Sequence, residues 1–208
     1  MEKDLVIELT VEEEEGTGIN TISFVEKPAI EIDFLYFNKN KENYQFKDEE
    51  KRIVVGPAMI PNEKIVRVDK EGNPYFVFFS EETVRKCAEL YFKNSNHTTT
   101  NVDHEKSLMD GVTVMESWIV EDPQYDKSKA LGFKDVLRGS WFVSYKVDND
   151  ILWDKVKAGE VLGFSVEGMF GQEIQKDNPI DEMKALFDSC LSDMEIFREI
   201  TKKINSYK

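Results

Sequence analysis

Apolar and polar positions alternate with a period of two through the first two thirds of the chain, which predicts strands rather than helices. "LVIELTV" and "INTISFV" read as two such strands, separated by the acidic run "VEEEEG" and by Gly16 and Gly18. "KPAIEIDFLYF" follows, rich in aromatics, and runs into "NKNKENYQFKDEEK" at 38–51, a charged stretch nearly free of aliphatics that reads as a linker or loop. "RIVVGPAMIP" reads as a buried strand in which Gly56-Pro57 marks a bulge or an edge. "KIVRVDKEGNPYFVFFS" predicts a hairpin turning at Glu71-Gly72-Asn73. "HTTTNVDHE" reads as extended, Asp110-Gly111 as a turn, "VTVMESWIV" and "SWFVSYKV" as strands, and "QYDKSKALGFKDVLRG" as a long polar loop between those two.

The period changes to that of a helix in three places. "SEETVRKCAELYF" has Ser80 at the N-cap, Glu in its first turn, and Val84, Cys87, Ala88 and Tyr91 at helical spacing. "DNDILWDKVKAGE" starts on Asp/Asn and stops at Gly159. After Pro179, Met183, Leu186, Phe187, Cys190 and Leu191 begin an amphipathic stripe that continues toward the terminal lysines. The pattern predicts a β-rich α+β domain of about eight or nine strands, closed or nearly closed into a barrel with helices packed outside. The expected division is a domain over 1–171, with 38–51 as its linker, and an amphipathic helical tail over 179–208 that covers the barrel or docks on a partner.

Composition narrows the function. The net charge of −14 argues against nucleic acid as the main partner, because phosphate contacts need Lys and Arg. The two cysteines, Cys87 and Cys190, form no C-x-x-C pair, so neither a zinc nor a redox site is expected, and a reducing compartment fits. "MEKDLVIELT" does not read as a secretory signal, and no apolar run approaches the ~20 residues that span a membrane. No cofactor or metal is expected.

One strand, "VLGFSVEGMF", places Ser165 between apolar neighbours and brackets it with Gly163 and Gly168. Ser165 is either a small filler or a hydroxyl that something must approach. A serine nucleophile needs a base, for which histidine is the usual group, and a third group to orient the imidazole. The histidines are His97, in the polar loop "KNSNHTTT", and His104. A hairpin folded at Asp110-Gly111 would set His104 opposite Glu116 or Ser117, within reach across the pair. Glu116 is also a charge in an otherwise apolar strand, which is costly without a partner; Lys134 or Lys146 would serve as one. The candidate site is therefore His104, Ser165 and Glu116. Asp103 should point away from the face of its neighbour His104. Trp118, Trp141 and Trp153 read as core aromatics.

The stretch 19–170 resembles the phage prohead proteases, the capsid maturation serine proteases related in fold to the herpesvirus assemblins. The resemblance lies in "GINTISFVEKPAI", "VVGPAMIPNEKIVR", "YFVFFSEETVRKCAELYF", "NVDHE", "VTVMESWIV" and, most specifically, "LWDKVKAGEVLGFSVEG". It implies an assemblin-like barrel, a histidine base at His104 and a nucleophile at Ser165. It also implies processing of phage scaffold and major capsid proteins within the prohead in the host cytoplasm, self-cleavage, and a dimer or higher homo-oligomer. In assemblins the third group is a histidine that follows the serine. None follows Ser165 here, so the third member is acidic or absent, with Glu116 ranked above Asp103 and Glu167. The loop before "SWFVSYK", with Arg138 and Gly139, is a candidate source of an oxyanion donor. The alternative is a non-enzymatic scaffold or virion assembly protein on the same barrel, with Ser165 as filler. A small esterase is a third option, disfavoured by the lack of a G-x-S-x-G elbow.

Overall fold

The computed structural model describes residues 5–12, 17–28, 35–36, 51–104 and 109–174. The predicted tail helix over 179–208 and nearly all of the 38–51 linker lie outside the described residues. The strands in chain order are β1 (Val6–Thr10), β2 (Gly18–Val25), β3 (Leu35–Tyr36), β4 (Ile53–Met59), β5 (Ile65–Val68) and β6 (Pro74–Phe78), then β7 (Thr100–Val102), β8 (Val112–Ile119), β9 (Trp141–Val147), β10 (Gly163–Met169) and β11 (Gly171–Ile174). The helices are α1 (Glu81–Lys93), α2 (Lys127–Ala130) and α3 (Asp150–Ala158), with a 3-10 turn at Asn96–Thr98.

Local signals formed the elements they predicted. The Ser80 hydroxyl accepts from the Thr83 N–H and caps α1. The Asn149 side chain accepts from Leu152 N–H at the start of α3, and Gly159 ends that helix at φ 74°. β5 and β6 pair antiparallel, and Asp69 holds their turn by accepting from the N–H groups of Glu71 and Asn73. β4 bulges just after Pro57, where its register against β9 shifts. The polar loop after β8 differs from expectation in one respect: Asp126 caps the short helix α2 within it.

Among the described residues the strands do not close. They form three open sheets in the orders β11-β1-β6-β5, β10-β2-β7 and β3-β4-β9-β8. The structure is mixed α+β as expected, but the closed or nearly closed barrel is not present among the described residues. Two of the pairings, β1 with β6 and β2 with β7, are parallel. The pairing of β7 with β8 that the Asp110-Gly111 turn suggested does not form. β7 pairs with β2 and β8 pairs with β9. The core lies between the sheets and α1. Trp141, Trp153, Tyr91, Tyr145, Phe24, Phe142 and Phe164 are its largest fully buried side chains. Phe24 meets Tyr145 and Phe164 edge-on, at centroid distances of 5.4 and 5.1 Å, and the Tyr91 and Tyr145 hydroxyls lie 3.2 Å apart. Trp118, the third tryptophan, is half-buried and stacks on Phe142.

Candidate active site

β2 is the middle strand of the three-stranded sheet and sets the register of the site. Ser23 stands opposite Ser165 in the antiparallel pair with β10, and opposite Asn101 in the parallel pair with β7. Opposed residues project to the same face, so Ser165, Ser23 and Asn101 form a polar row across three strands. The adjacent row, Phe164, Phe24 and Val102, projects the other way into the core. Glu167 lies two residues beyond Ser165 on β10, on the Ser165 face and diagonal to Ser23.

His104 reaches this row from the end of β7. Asp103 and His104 are both left-handed, at φ 49° and 60°, a conformation that Asp and His adopt more readily than most residues. The His104 ring Nδ1 lies 2.8 Å from Glu167 Oε1 and 3.3 Å from Ser23 Oγ. Ser23 Oγ donates to the same Glu167 oxygen at 2.6 Å, and Asn101 Nδ2 donates to it at 2.9 Å. The Asn101 Oδ1 is buried with no partner among the described residues. Burial pushes the Glu167 carboxyl up, but the hydrogen bonds from Ser23, Asn101 and His104, with the nearby imidazole, outweigh it and hold the group below the ordinary glutamate range. Glu167 therefore keeps its negative charge beside His104. Exposure separates the roles: the side chains of His104 and Glu167 are 44% and 36% exposed, whereas Ser23 is fully buried.

Ser165 is half-buried. It makes no hydrogen bond to His104 among the described residues, and the hydroxyl touching the imidazole is that of Ser23. With Nδ1 occupied by Glu167 and Ser23, Nε2 is the nitrogen left for another partner. Ser165 and Glu167 line a cleft of about 650 Å³. One side of the cleft is β10, an edge strand with β2 as its only neighbour in the sheet order. The other is the face of β5 and β6 that carries Ile65, Arg67, Tyr75 and Val77.

The remaining sequence candidates fall elsewhere. Glu116 is on β8, opposite Ser144 of β9 in a different sheet from His104, and pairs with Lys127 of α2 rather than with Lys134, Lys146 or the histidine. Asp103 does point away from the site: its carboxylate accepts from the Glu26 N–H at 3.2 Å. His97 is half-buried and stacks on Phe92 with ring centroids 5.2 Å apart. The Gly139 N–H donates to the Val120 carbonyl at 2.8 Å, and Arg138 lies 3.6 Å from Glu81. Sequence reasoning missed Ser23 and Asn101. Ser23 is a hydroxyl inside the largely apolar run "ISFV", and that intrusion was the available signal; Asn101, in the polar stretch "HTTTNVDHE", carried none.

Comparison with known proteins places the chain in a family. The chain is 25% identical over 186 residues to the "Phage-like element PBSX protein XkdF" of Bacillus subtilis (strain 168), an overlap covering 85% of this chain and 60% of that protein. It is 22% identical over 176 residues to the "Uncharacterized protein YqbD" of the same organism, covering 80% of this chain and 49% of that protein. The chain thus spans about half to three fifths of the length of these curated relatives. No solved structure matches. A family model matches residues 42–174, well over half of the chain, and the chain belongs to the family it describes, "Putative phage serine protease XkdF".

Proposed function

We propose that the protein is a serine endopeptidase in which Ser165 is the nucleophile, His104 the general base and Glu167, not Glu116, the orienting carboxylate. The observation that carries this reading is the 2.8 Å contact of His104 Nδ1 with Glu167, two residues from Ser165 on the same strand face. A proton on Nδ1, donated to Glu167, leaves the Nε2 lone pair free to take the Ser165 hydroxyl proton. The Ser165 oxygen attacks the carbonyl carbon of a peptide laid in the cleft along β10. The tetrahedral adduct collapses as the imidazolium returns that proton to the leaving amine. Water, deprotonated by the same nitrogen, then hydrolyses the acyl-serine ester. Catalytic hydrogen bonds in unliganded enzymes are often long and tighten on substrate binding, so a Ser165 not yet bonded to His104 is compatible with this role. Following the family, the substrates proposed are scaffold and capsid-protein segments of an immature phage head and the protease itself, acting as a dimer or larger homo-oligomer.

A fluorophosphonate probe tests the nucleophile. The wild-type chain is expected to be labelled, Ser165→Ala to lose labelling, and Ser23→Ala to retain the adduct on Ser165 at a reduced rate. Labelling of Ser23, or undiminished labelling of Ser165→Ala, refutes the assignment. The second reading, a non-enzymatic assembly protein whose His104–Glu167 pair only braces the sheet, is favoured by the contact of His104 with buried Ser23. It predicts no labelling at any protein concentration.

A further inference from the structure

We propose that Arg67 makes the cleft selective for peptides carrying an aspartate or glutamate side chain, an inference that rests on the peptidase reading above. Arg67 is on β5, two residues from buried Ile65 and opposite Tyr75 of β6, and all three side chains line the cleft that Ser165 borders. It is the cation among the described residues that line that cleft. Its Nη1 donates to the carbonyl of its own neighbour Val66 at 3.1 Å, and no carboxylate pairs with it among the described residues. The other described arginines behave differently. Arg52 lies 2.6 Å from Asp150, Arg85 2.6 Å from Glu121 and Arg138 3.6 Å from Glu81. In a chain of net charge −14, carboxylates are abundant. An arginine held without one, in the cleft beside the proposed nucleophile, is complementary to a carboxylate that arrives with the substrate.

The chemistry of the wall supports this. Guanidinium is always charged and presents a planar fork that matches a carboxylate. Ile65, Val77 and Phe79 give the same cleft apolar surface, and Arg67 is itself exposed, so an arriving carboxylate can reach its guanidinium. The cleft's own carboxylate, Glu167, is held by Ser23, Asn101 and His104. A peptide extended along β10 presents alternate side chains toward the β5–β6 face, so a carboxylate at one fixed distance from the cleaved bond would meet Arg67.

The test uses the full chain, over a range of concentrations, with a pool of synthetic peptides of randomised sequence and amidated C-termini. Side chains are then the source of any carboxylate. Cleavage sites are read by mass spectrometry for the wild type, Arg67→Gln and Arg67→Glu. The wild type is expected to show enrichment of Asp and Glu at one position relative to the cut. In Arg67→Gln that enrichment disappears, and kcat/KM on the best acidic peptide falls about two- to fivefold, while its Asn or Gln counterpart changes little. In Arg67→Glu, Lys and Arg replace the acids at the same position, a gain that misfolding does not produce. A wild type that cuts without acidic preference, a preference that survives in both variants, or a loss falling equally on acidic and neutral peptides overturns the role of Arg67 and leaves the peptidase reading standing. A wild type that cuts no peptide overturns both.

Discussion

Glu167 accepts three hydrogen bonds on one oxygen, from Ser23, Asn101 and His104. A glutamine can still turn its carbonyl oxygen toward these three donors, so a Glu167→Gln variant removes the negative charge that stabilises the imidazolium while adding no bulk. Glu116, paired with Lys127 in another sheet, has no such link to His104. In fluorophosphonate kinetics, Glu167→Gln is expected to slow labelling of Ser165 by about a hundredfold or more, and Glu116→Gln to leave the rate within about twofold of wild type. The reverse ranking would return the orienting role to Glu116. The residue types of the proposed site were legible in sequence, because serine and histidine carry a recognisable chemistry. The partner of His104 was not legible. The sequence ranks Glu167 below Glu116, yet the strand face that Glu167 shares with Ser165 is what brings it to the histidine. Asp103 points away as expected, but through a left-handed turn and not through the strand alternation that suggested it.

At the scale of the element, the register of β10 on β2 fixes which groups meet. The pairing runs Ser165 on Ser23 and Glu167 on Thr21, then skips Asn20 so that Gly168 meets Ile19. This bulge directly follows Glu167. It is tied from the far side by Asn96 Nδ2 donating to the Ile19 carbonyl and Thr99 Oγ1 donating to the Asn20 carbonyl, at 2.9 and 2.8 Å. Gly168 is required by close approach. A Cβ there would lie 2.0 Å from the Gly18 carbonyl oxygen and 2.9 Å from Ile19 Cα, both backbone atoms that cannot swing aside. Gly168→Ala is therefore expected to destabilise the fold by about 1–3 kcal/mol and to slow Ser165 labelling by displacing Glu167. Chemical denaturation together with the labelling rate checks this, and a variant unchanged in both would show that the bulge does not set the site. Strands and helix caps were legible because alternation and capping are local. Strand partners were not: alternation reports which face is buried but not which neighbour supplies the hydrogen bonds, so β8 went to β9 and β7 to β2.

At the scale of the whole molecule, the three sheets share no hydrogen-bonded ladder among the described residues, and side-chain packing joins two of them. Phe24 of β2 contacts Phe164 of β10 and Tyr145 of β9, Tyr145 shares a hydrogen bond with Tyr91 of α1, and Tyr91 meets Trp141 edge-on at 5.4 Å. This chain of rings links the sheet that carries the site to the β4–β9 sheet and to α1. Cys87 reports on it from within α1. Its thiol is fully buried, and burial pushes it up to about 12. Because the thiolate is the reactive form, a thiol reagent at neutral pH reaches Cys87 only when the packing opens. With Cys190→Ser removing the second cysteine, labelling of the native chain is expected to be slow and that of the denatured chain fast. Phe24→Ala, which deletes the ring joining the sheets, should cost about 3–5 kcal/mol. If the sheets and α1 open as one cooperative unit, it should accelerate Cys87 labelling by the same factor as it lowers the equilibrium constant for folding, wherever reclosing outpaces the reagent. A Phe24→Ala protein with a lowered midpoint but an unchanged Cys87 rate would show that α1 opens independently of the site-bearing sheet. In that case the row of Ser165, Ser23 and Asn101 would owe its stability to the ladder hydrogen bonds of its own three strands.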